Sequence, residues 1–233
     1  MTEKLNVSQS AMAYEAQGNR TYGGGARGVD YIRLGVSQGA SGNNWKFWGL
    51  YAFPALPPGA HLQSAVLVLH APDSVFDAPD GNRIFPTTYG VWLKVRAIRQ
   101  AWSQETVNWN NRPTVDTIAY PELTVPAGAF PQTLRWDVTD VYNAQKATGY
   151  GFAIIPAQEW ASSHVGVNRN NAEQPLPYLE VTYTPEIPPM GIYINIDGVA
   201  RACNAFVKDD QGGPAKRAIS VTYRHPDGTR FTV

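Results

Sequence analysis

Ala101-Trp102-Ser103-Gln104-Glu105-Thr106-Val107-Asn108-Trp109-Asn110-Asn111-Arg112-Pro113 gathers two indoles, a guanidinium and four amides into thirteen residues. One chemistry open to such a set is sugar recognition. An indole face of Trp102 or Trp109 covers the apolar face of a sugar ring, and Arg112 bonds hydroxyls or a carboxylate. The other reading is structural: a loop pinned by two buried tryptophans, with Arg112 satisfying backbone carbonyls. Two more stretches carry similar chemistry. Asn43-Asn44-Trp45-Lys46-Phe47-Trp48 mixes two tryptophans with amides and a lysine. Gln158-Glu159-Trp160-Ala161-Ser162-Ser163-His164 is polar with one aromatic, followed by Arg169, Asn170 and Asn171. Aromatic planes beside amides and arginine suit a glycan or a protein surface equally. If residues 45–48 belong to a strand, at least one of Trp45 and Trp48 faces the core, because side chains alternate across a strand.

Catalytic constellations are missing from the sequence. Glu105 and Asp137 are the only carboxylates that invite an acid–base reading, and no spacing ties them together. His61, His70, His164 and His225 are scattered, without the close pairing of a zinc site. No Gly-x-Ser-x-Gly elbow occurs, and Cys203 sits in a strand-like segment without a nucleophile motif. Asp209-Asp210-Gln211-Gly212-Gly213 lacks the alternating acids and closing Glu of a calcium loop, and Gly23-Gly24-Gly25 lacks the Gly-Lys-Ser continuation of a phosphate loop. The expectation is no catalytic residue, no metal and no cofactor.

The elements that must position these residues are strands. The 233 residues are 43% hydrophobic and 12% aromatic, enough for one large core. Charged residues make up only 16%, against roughly 25% in an average domain. Gly (21) and Pro (18) are spread along the chain, as turns between short strands require. Ser64–His70 is a short apolar run between Pro57-Pro58-Gly59 and Ala71-Pro72-Asp73, and reads as a buried strand. Val91–Ile98 alternates, with Val91, Leu93, Val95 and Ala97 on one face and Trp92, Lys94, Arg96 and Ile98 on the other. Gly151–Pro156 and Tyr178–Tyr183 read as two more strands. A short helix is expected over Val138–Ala147, with Thr139 or Asp140 as N-cap and Gly149 beyond its end. Three domains-level pieces follow: a β domain over 1–184, a proline-stiffened linker over 185–190, and a small extension over 191–233. In the extension, Asp197-Gly198, Gly212-Gly213 and Asp227-Gly228 carry hairpin chemistry.

Six of these segments, in order, resemble a bacterial module, the DNRLRE domain, related to archaeal disaggregatase domains and classed in part among carbohydrate-binding modules. They are Leu56–Ala60, Ser64–Leu67, Trp102–Pro113, Asp137–Thr139, Gly151-Phe152 and Pro177–Tyr183. The resemblance implies an all-β fold, a jelly-roll β-sandwich that is usually non-catalytic. It also makes Trp102, Thr106, Trp109, Arg112, Pro113, Asp137 and Thr139 scaffold signature residues. The opening departs from the family pattern, with Ala11-Met12-Ala13-Tyr14 and Thr21-Tyr22-Gly23 where an acidic strand and an Asn-Tyr-Gly motif stand in relatives. Tyr193–Val199 resembles, more loosely, the β-hairpin extensions of phage tail proteins.

Charge excludes some partners. With 19 basic and 19 acidic residues the chain has no net charge, so it lacks the positive field that nucleic acid or anionic lipid calls for. No run approaches the ~18 apolar residues of a membrane span. One cysteine allows no internal disulfide, and Met1–Asn6 lacks a signal-peptide pattern. The expected function is therefore a non-catalytic phage virion protein, assembled in the host cytoplasm. Its sandwich would serve assembly, adhesion or both, with other virion proteins, with itself as a homo-oligomer, or with a surface polysaccharide. Trp45, Trp48, Trp160, Arg169 and Asn170 are its candidate contact residues. The alternative is a free-standing carbohydrate-binding module of a glycan-degrading system.

Overall fold

The computed structural model describes residues 1–23, 30–38, 42–72, 75–76, 83–84, 90–127, 131–146, 148–158, 163–170 and 174–184, together with four strands beyond residue 190. In chain order the strands are β1 (Thr2–Asn6), β2 (Gln9–Tyr14), β3 (Tyr31–Gln38), β4 (Asn44–Ala52) and β5 (His61–Ala71). The pair β6 (Val75–Phe76) and β7 (Arg83–Ile84) follows, then β8 (Val91–Ala97), β9 (Glu122–Val125) and β10 (Gln132–Asp137). Helix α1 (Thr139–Asn143) leads into β11 (Phe152–Pro156), β12 (Ser163–Asn168) and β13 (Tyr178–Thr184). The last four are β14 (Ile192–Ile196), β15 (Val199–Cys203), β16 (Thr222–Arg224) and β17 (Arg230–Thr232).

Alternation decides how these strands pack. In β8, Val91, Leu93, Val95 and Ala97 are buried while Trp92 is exposed and Lys94 and Arg96 are half-buried. In β10, Leu134 and Trp136 are buried and Thr133, Arg135 and Asp137 are exposed. Each strand thus has one face that must be covered, and two antiparallel sheets cover each other. One sheet runs β1-β13-β5-β10, the other β12-β3-β4-β11-β8-β9, with β2 also paired to β4. Between them lies the main core, including Leu67, Leu69, Leu93, Val95, Phe152, Ile154, Leu179 and Val181. Trp136 ties the layers together, its Nε1–H donating to the Thr124 carbonyl at 3.1 Å. The fold is an all-β sandwich of jelly-roll type, as the sequence led one to expect.

β4 is the hub of the large sheet. It pairs with β3 through residues 44–47, with β2 through 47–52 and with β11 through 49–51. Gly151, just before β11, has φ +80°, and a Cβ there would lie 1.9 Å from the Tyr51 carbonyl oxygen. Only glycine admits that backbone at that distance.

The expected helix is present but short. It spans Thr139–Asn143, five residues, followed by turns in which Gln145 N–H bonds the Tyr142 carbonyl at 2.9 Å. Its N-cap is Val138, with no side-chain cap, rather than Thr139 or Asp140. The reason is that Thr139 Oγ1 is engaged elsewhere: it accepts from Ala65 N–H at 2.9 Å and donates to Asp137 Oδ1 at 2.6 Å. Val138 N–H meanwhile donates to the Ala65 carbonyl at 2.9 Å. The Asp137-Val138-Thr139 signature therefore closes the end of the β10–β5 ladder.

The chain divides into two compact units, Met1–Pro185 and Glu186–Val233. In the second, β14 pairs with β15 so that Ile196 stands opposite Val199, and β16 pairs with β17. Cys203 ends β15. Gly212-Gly213 and the acidic stretch before them lie outside the described residues.

Candidate functional site: the outer face of the large sheet

The thirteen-residue motif of the sequence is a strap over the outer face of the large sheet. Its ends are joined: Arg99 N–H donates to the Thr114 carbonyl and Asp116 N–H to the Ala97 carbonyl, both at 2.9 Å. Asp116 also accepts from Ala97 N–H at 3.2 Å and from the Tyr120 hydroxyl at 2.9 Å. Further along, Gln104 and β2 exchange bonds. Gln104 N–H donates to Gln9 Oε1 and Ser10 N–H donates to Gln104 Oε1, each at 3.1 Å. Gly23 lets this happen, since a Cβ there would stand 2.0 Å from the Gln104 carbonyl oxygen. Beneath the strap is a second, smaller apolar cluster of Ala11, Leu50, Ile98, Val107 and Ala153. Trp102 packs on it and donates from Nε1 to the Tyr150 carbonyl at 2.8 Å.

The far end of the strap is polar and half-open. Asn108 Oδ1 accepts from Asn110 N–H at 3.0 Å and Asn111 N–H at 3.2 Å, and the Thr106 carbonyl accepts from Asn111 Nδ2 at 3.1 Å. This Asx-type turn presents Trp109 to β4. Arg112 lies between two indoles, its guanidinium carbon 4.0 Å from the Trp109 ring centre and 4.7 Å from that of Trp48. The two indoles meet edge to face at 5.6 Å and 72°. Arg112 also donates to the Trp109 carbonyl. Burial lowers the Arg112 pKa from its ordinary value, and Glu15 opposes that shift. Glu15 is held nearby by Lys46, whose N–H donates to Glu15 Oε2 at 3.1 Å. Pro113, buried, closes the turn.

From this stack an open stripe continues across the sheet. Lys94 pairs with Ile155 on one side and Glu122 on the other, and Trp92 pairs with Thr124. Trp92 is 42% exposed, on the same strand face as Lys94 and Arg96. Ile98, on that face too, is fully buried because the strap covers it. One face of one strand is thus sealed at one end and open at the other. Strands lie about 4.8 Å apart, so β8, two strands from β4, sets Lys94 and Trp92 on the order of 10 Å from the Trp48 stack.

The sequence candidates separate in this frame. Trp45 and Trp48 are three residues apart on β4 and so point to opposite faces. Trp45 shares the face of Phe47 and Tyr51, and Trp48 alone joins the outer stripe. Trp109 and Arg112, named in the sequence as scaffold signature residues, pack against Trp48 of β4. Arg169 is buried: its Nε–H donates to the Ser10 carbonyl at 2.9 Å, and its backbone N–H to the Asp30 carbonyl at 2.7 Å. Burial lowers its pKa, with Glu105, Tyr51 and Asp30 opposing. Asn170 is exposed and donates its backbone N–H to the same carbonyl at 3.1 Å. Trp160 and Asn171 lie outside the described residues. Glu105 stands on the strap while Asp137 ends β10 in the other sheet, bonded to Thr139. Trp92 was visible in the sequence only as half of an alternation.

The half-open Trp48 and Trp109, the exposed Trp92 and the cations Lys94 and Arg112 thus lie on one face of the β-sandwich. The sequence model of carbohydrate-binding module family 96 matches residues 33–183, well over half of the chain. The chain belongs to that family. The match contains all six signature segments, from Leu56–Ala60 to Pro177–Tyr183, and with them the strap, β4, β8 and β11. A family 96 module is a binding module by description, which agrees with the aromatic surface and with the absence of a catalytic motif in the sequence. No curated protein matches the chain. Among the described residues no group of three His, Cys, Asp or Glu side chains is gathered to hold a metal ion. No described helix is long and apolar enough to cross a membrane.

Proposed function

We propose that this protein is a non-catalytic glycan-binding protein that lays a polysaccharide along the outer face of its large sheet. Trp92 and the Trp48–Trp109 pair supply ring faces, and Arg112 and Lys94 supply donors to hydroxyl or acidic groups between them. The observation that carries the proposal is the 42% exposure of the Trp92 indole, on the same sheet face as a guanidinium held between two further indoles. A single exposed apolar side chain needs no partner, but exposed aromatic surface gathered with further indoles and rimmed by polar groups marks an interaction site. Membership in a carbohydrate-binding family names that partner's class. The test is affinity electrophoresis of the full chain through gels containing a broad panel of soluble polysaccharides. Retardation in at least one gel, abolished by Trp92→Ala with the far-UV spectrum unchanged, supports the reading. Free migration in every gel overturns it.

Two settings for this surface remain from the sequence, a virion component and a free-standing module of a glycan-degrading system. The virion reading draws on the pairing of β14 with β15, in which Ile196 stands opposite Val199. We propose a self-association role for the second unit, because a two-stranded pair such as β14–β15 or β16–β17 is marginal alone in water. Light scattering behind a sizing column separates the settings. A fixed homo-oligomer supports the virion reading, and a monomer at all concentrations supports the free-standing module.

A further inference from the structure

β1 is an edge strand of the small sheet, and its register decides which backbone groups it leaves open. Met1 and Tyr183 exchange bonds, the Met1 ammonium donating at 2.8 Å and the Tyr183 N–H at 2.9 Å. Val7 N–H donates to the Pro177 carbonyl at 3.2 Å. In an antiparallel ladder every second residue bonds the same neighbour, so the odd-numbered residues of β1 face β13. The N–H and C=O groups of Thr2, Lys4 and Asn6 point the other way, and among the described residues no strand takes them. All three residues are exposed.

We infer that this edge is a contact between two copies of the chain, paired antiparallel about a two-fold axis so that their small sheets join into one. A bare edge is a template for another strand, and natural sheets blunt theirs with bulges, prolines, projecting charges or a cover. In the large sheet, β9 gives its Thr124 carbonyl to Trp136, and β12 is buried at five of its six residues. β1 has no such protection. It holds no proline and pairs with β13 without a shift of register. Its two charges are also drawn back from the edge. Lys4 Nζ lies 3.9 Å over the Tyr178 ring, and the Glu3 carboxylate accepts from the Tyr183 hydroxyl at 3.0 Å. Both side chains therefore lean over β13.

Charge then selects the register. An axis at Glu3 would set Glu3 opposite its own copy, and an axis at Lys4 would do the same for the lysine. Like charges directly opposed across strands are destabilising. An axis at Leu5 sets leucine against leucine, and the outward N–H and C=O of Lys4 then meet those of Asn6 in the second copy. The ladder ends there, because Ser8 N–H already donates to the Ala52 carbonyl at 2.9 Å. So small a contact makes a weak, concentration-dependent dimer.

The experiment is sedimentation velocity of the full chain over a concentration series, with Lys4→Ala and Lys4→Pro beside it. Proline is admitted on an edge strand where its missing N–H faces outward, so Lys4→Pro removes the proposed contact and keeps the β1–β13 ladder. The unaltered chain and Lys4→Ala should double in mass as concentration rises. Lys4→Pro should stay monomeric with an unchanged far-UV spectrum. The register is read separately by mild oxidation of Glu3→Cys, Lys4→Cys and Leu5→Cys, each in a Cys203→Ser background. Leu5→Cys should cross-link best, because opposed residues of a non-hydrogen-bonded pair lie about 4.5 Å apart. A monomer at every concentration overturns the inference. So does an oligomer that Lys4→Pro leaves intact, which would place assembly elsewhere in the chain. Should Lys4→Pro lose its fold, the cross-linking decides alone, and a pattern that does not favour Leu5→Cys overturns the proposed pairing.

Discussion

Replacing Arg112 with alanine should loosen the strap without dissolving the sandwich, and the size of the effect follows from its contacts. The guanidinium sits 4.0 and 4.7 Å from two ring centres, and each half-exposed cation–π contact contributes about 0.5–1 kcal/mol. Its bond to the Trp109 carbonyl adds about 1 kcal/mol. Arg112→Ala should therefore cost roughly 2–3 kcal/mol, a fall in Tm of roughly 5–10 °C for a domain of this size. The sharper statement concerns coupling. Trp48 and Arg112 come from β4 and from the strap, sixty-four positions apart, and meet only if the strap lies as described. A double-mutant cycle of Trp48→Ala and Arg112→Ala, read by urea unfolding with far-UV circular dichroism, should give a coupling energy of about 0.5–1 kcal/mol. A coupling within ~0.3 kcal/mol of zero would mean that the two side chains do not share a stack, and the strap assignment would fall with it.

Gly151→Ala forces a Cβ to within 1.9 Å of the Tyr51 carbonyl oxygen at φ +80°, while Gly42, also at φ +80°, has nothing within 4 Å. The first should cost more than ~3 kcal/mol or prevent folding, and the second only about 1 kcal/mol of backbone strain, compared by denaturant midpoint. His164 is held neutral, its pKa depressed to about 4 by burial and by Arg33. Because the unfolded imidazole titrates near 6.5, the unfolded state binds more protons between those values. Stability should fall as pH drops from about 6.5 towards 4, by about 1.4 kcal/mol per unit at most. Thermal melts across that window should show it, and His164→Gln should flatten the slope; an equal slope in both proteins would assign the effect elsewhere. Thr139→Ala leaves Ala65 N–H without its acceptor, and should cost about 1–2 kcal/mol in urea unfolding; a neutral outcome would remove the signature's structural role.

Much of the sandwich was legible because its strands obey a period of two. Val91–Ala97 and Tyr178–Thr184 alternate cleanly, and Ser64–His70 sits inside β5. The helix was harder, since a five-residue element has too few turns to show periodicity, and Thr139 looks like a cap until its hydroxyl is seen bonded to Ala65 and Asp137. For the candidate surface, sequence distance hid what matters. Parity on β4 sends Trp45 and Trp48 to opposite faces, but nothing local says that Trp109 and Arg112 arrive from the strap to complete the Trp48 stack. Trp92 and Ile98 share a face, and only the path of the strap decides which of them meets water. Arg169 illustrates the converse: a polar loop composition suggested a surface contact, yet its guanidinium reaches back to the Ser10 carbonyl across the fold.

The most direct test of the central claim is hydroxyl-radical footprinting of the tryptophans with and without a saturating oligosaccharide from a retained polysaccharide. The account predicts protection of Trp92, Trp48 and Trp109 on binding, with buried Trp136 unchanged. Saturating ligand that leaves the oxidation of all three outer-face indoles unaltered would contradict it.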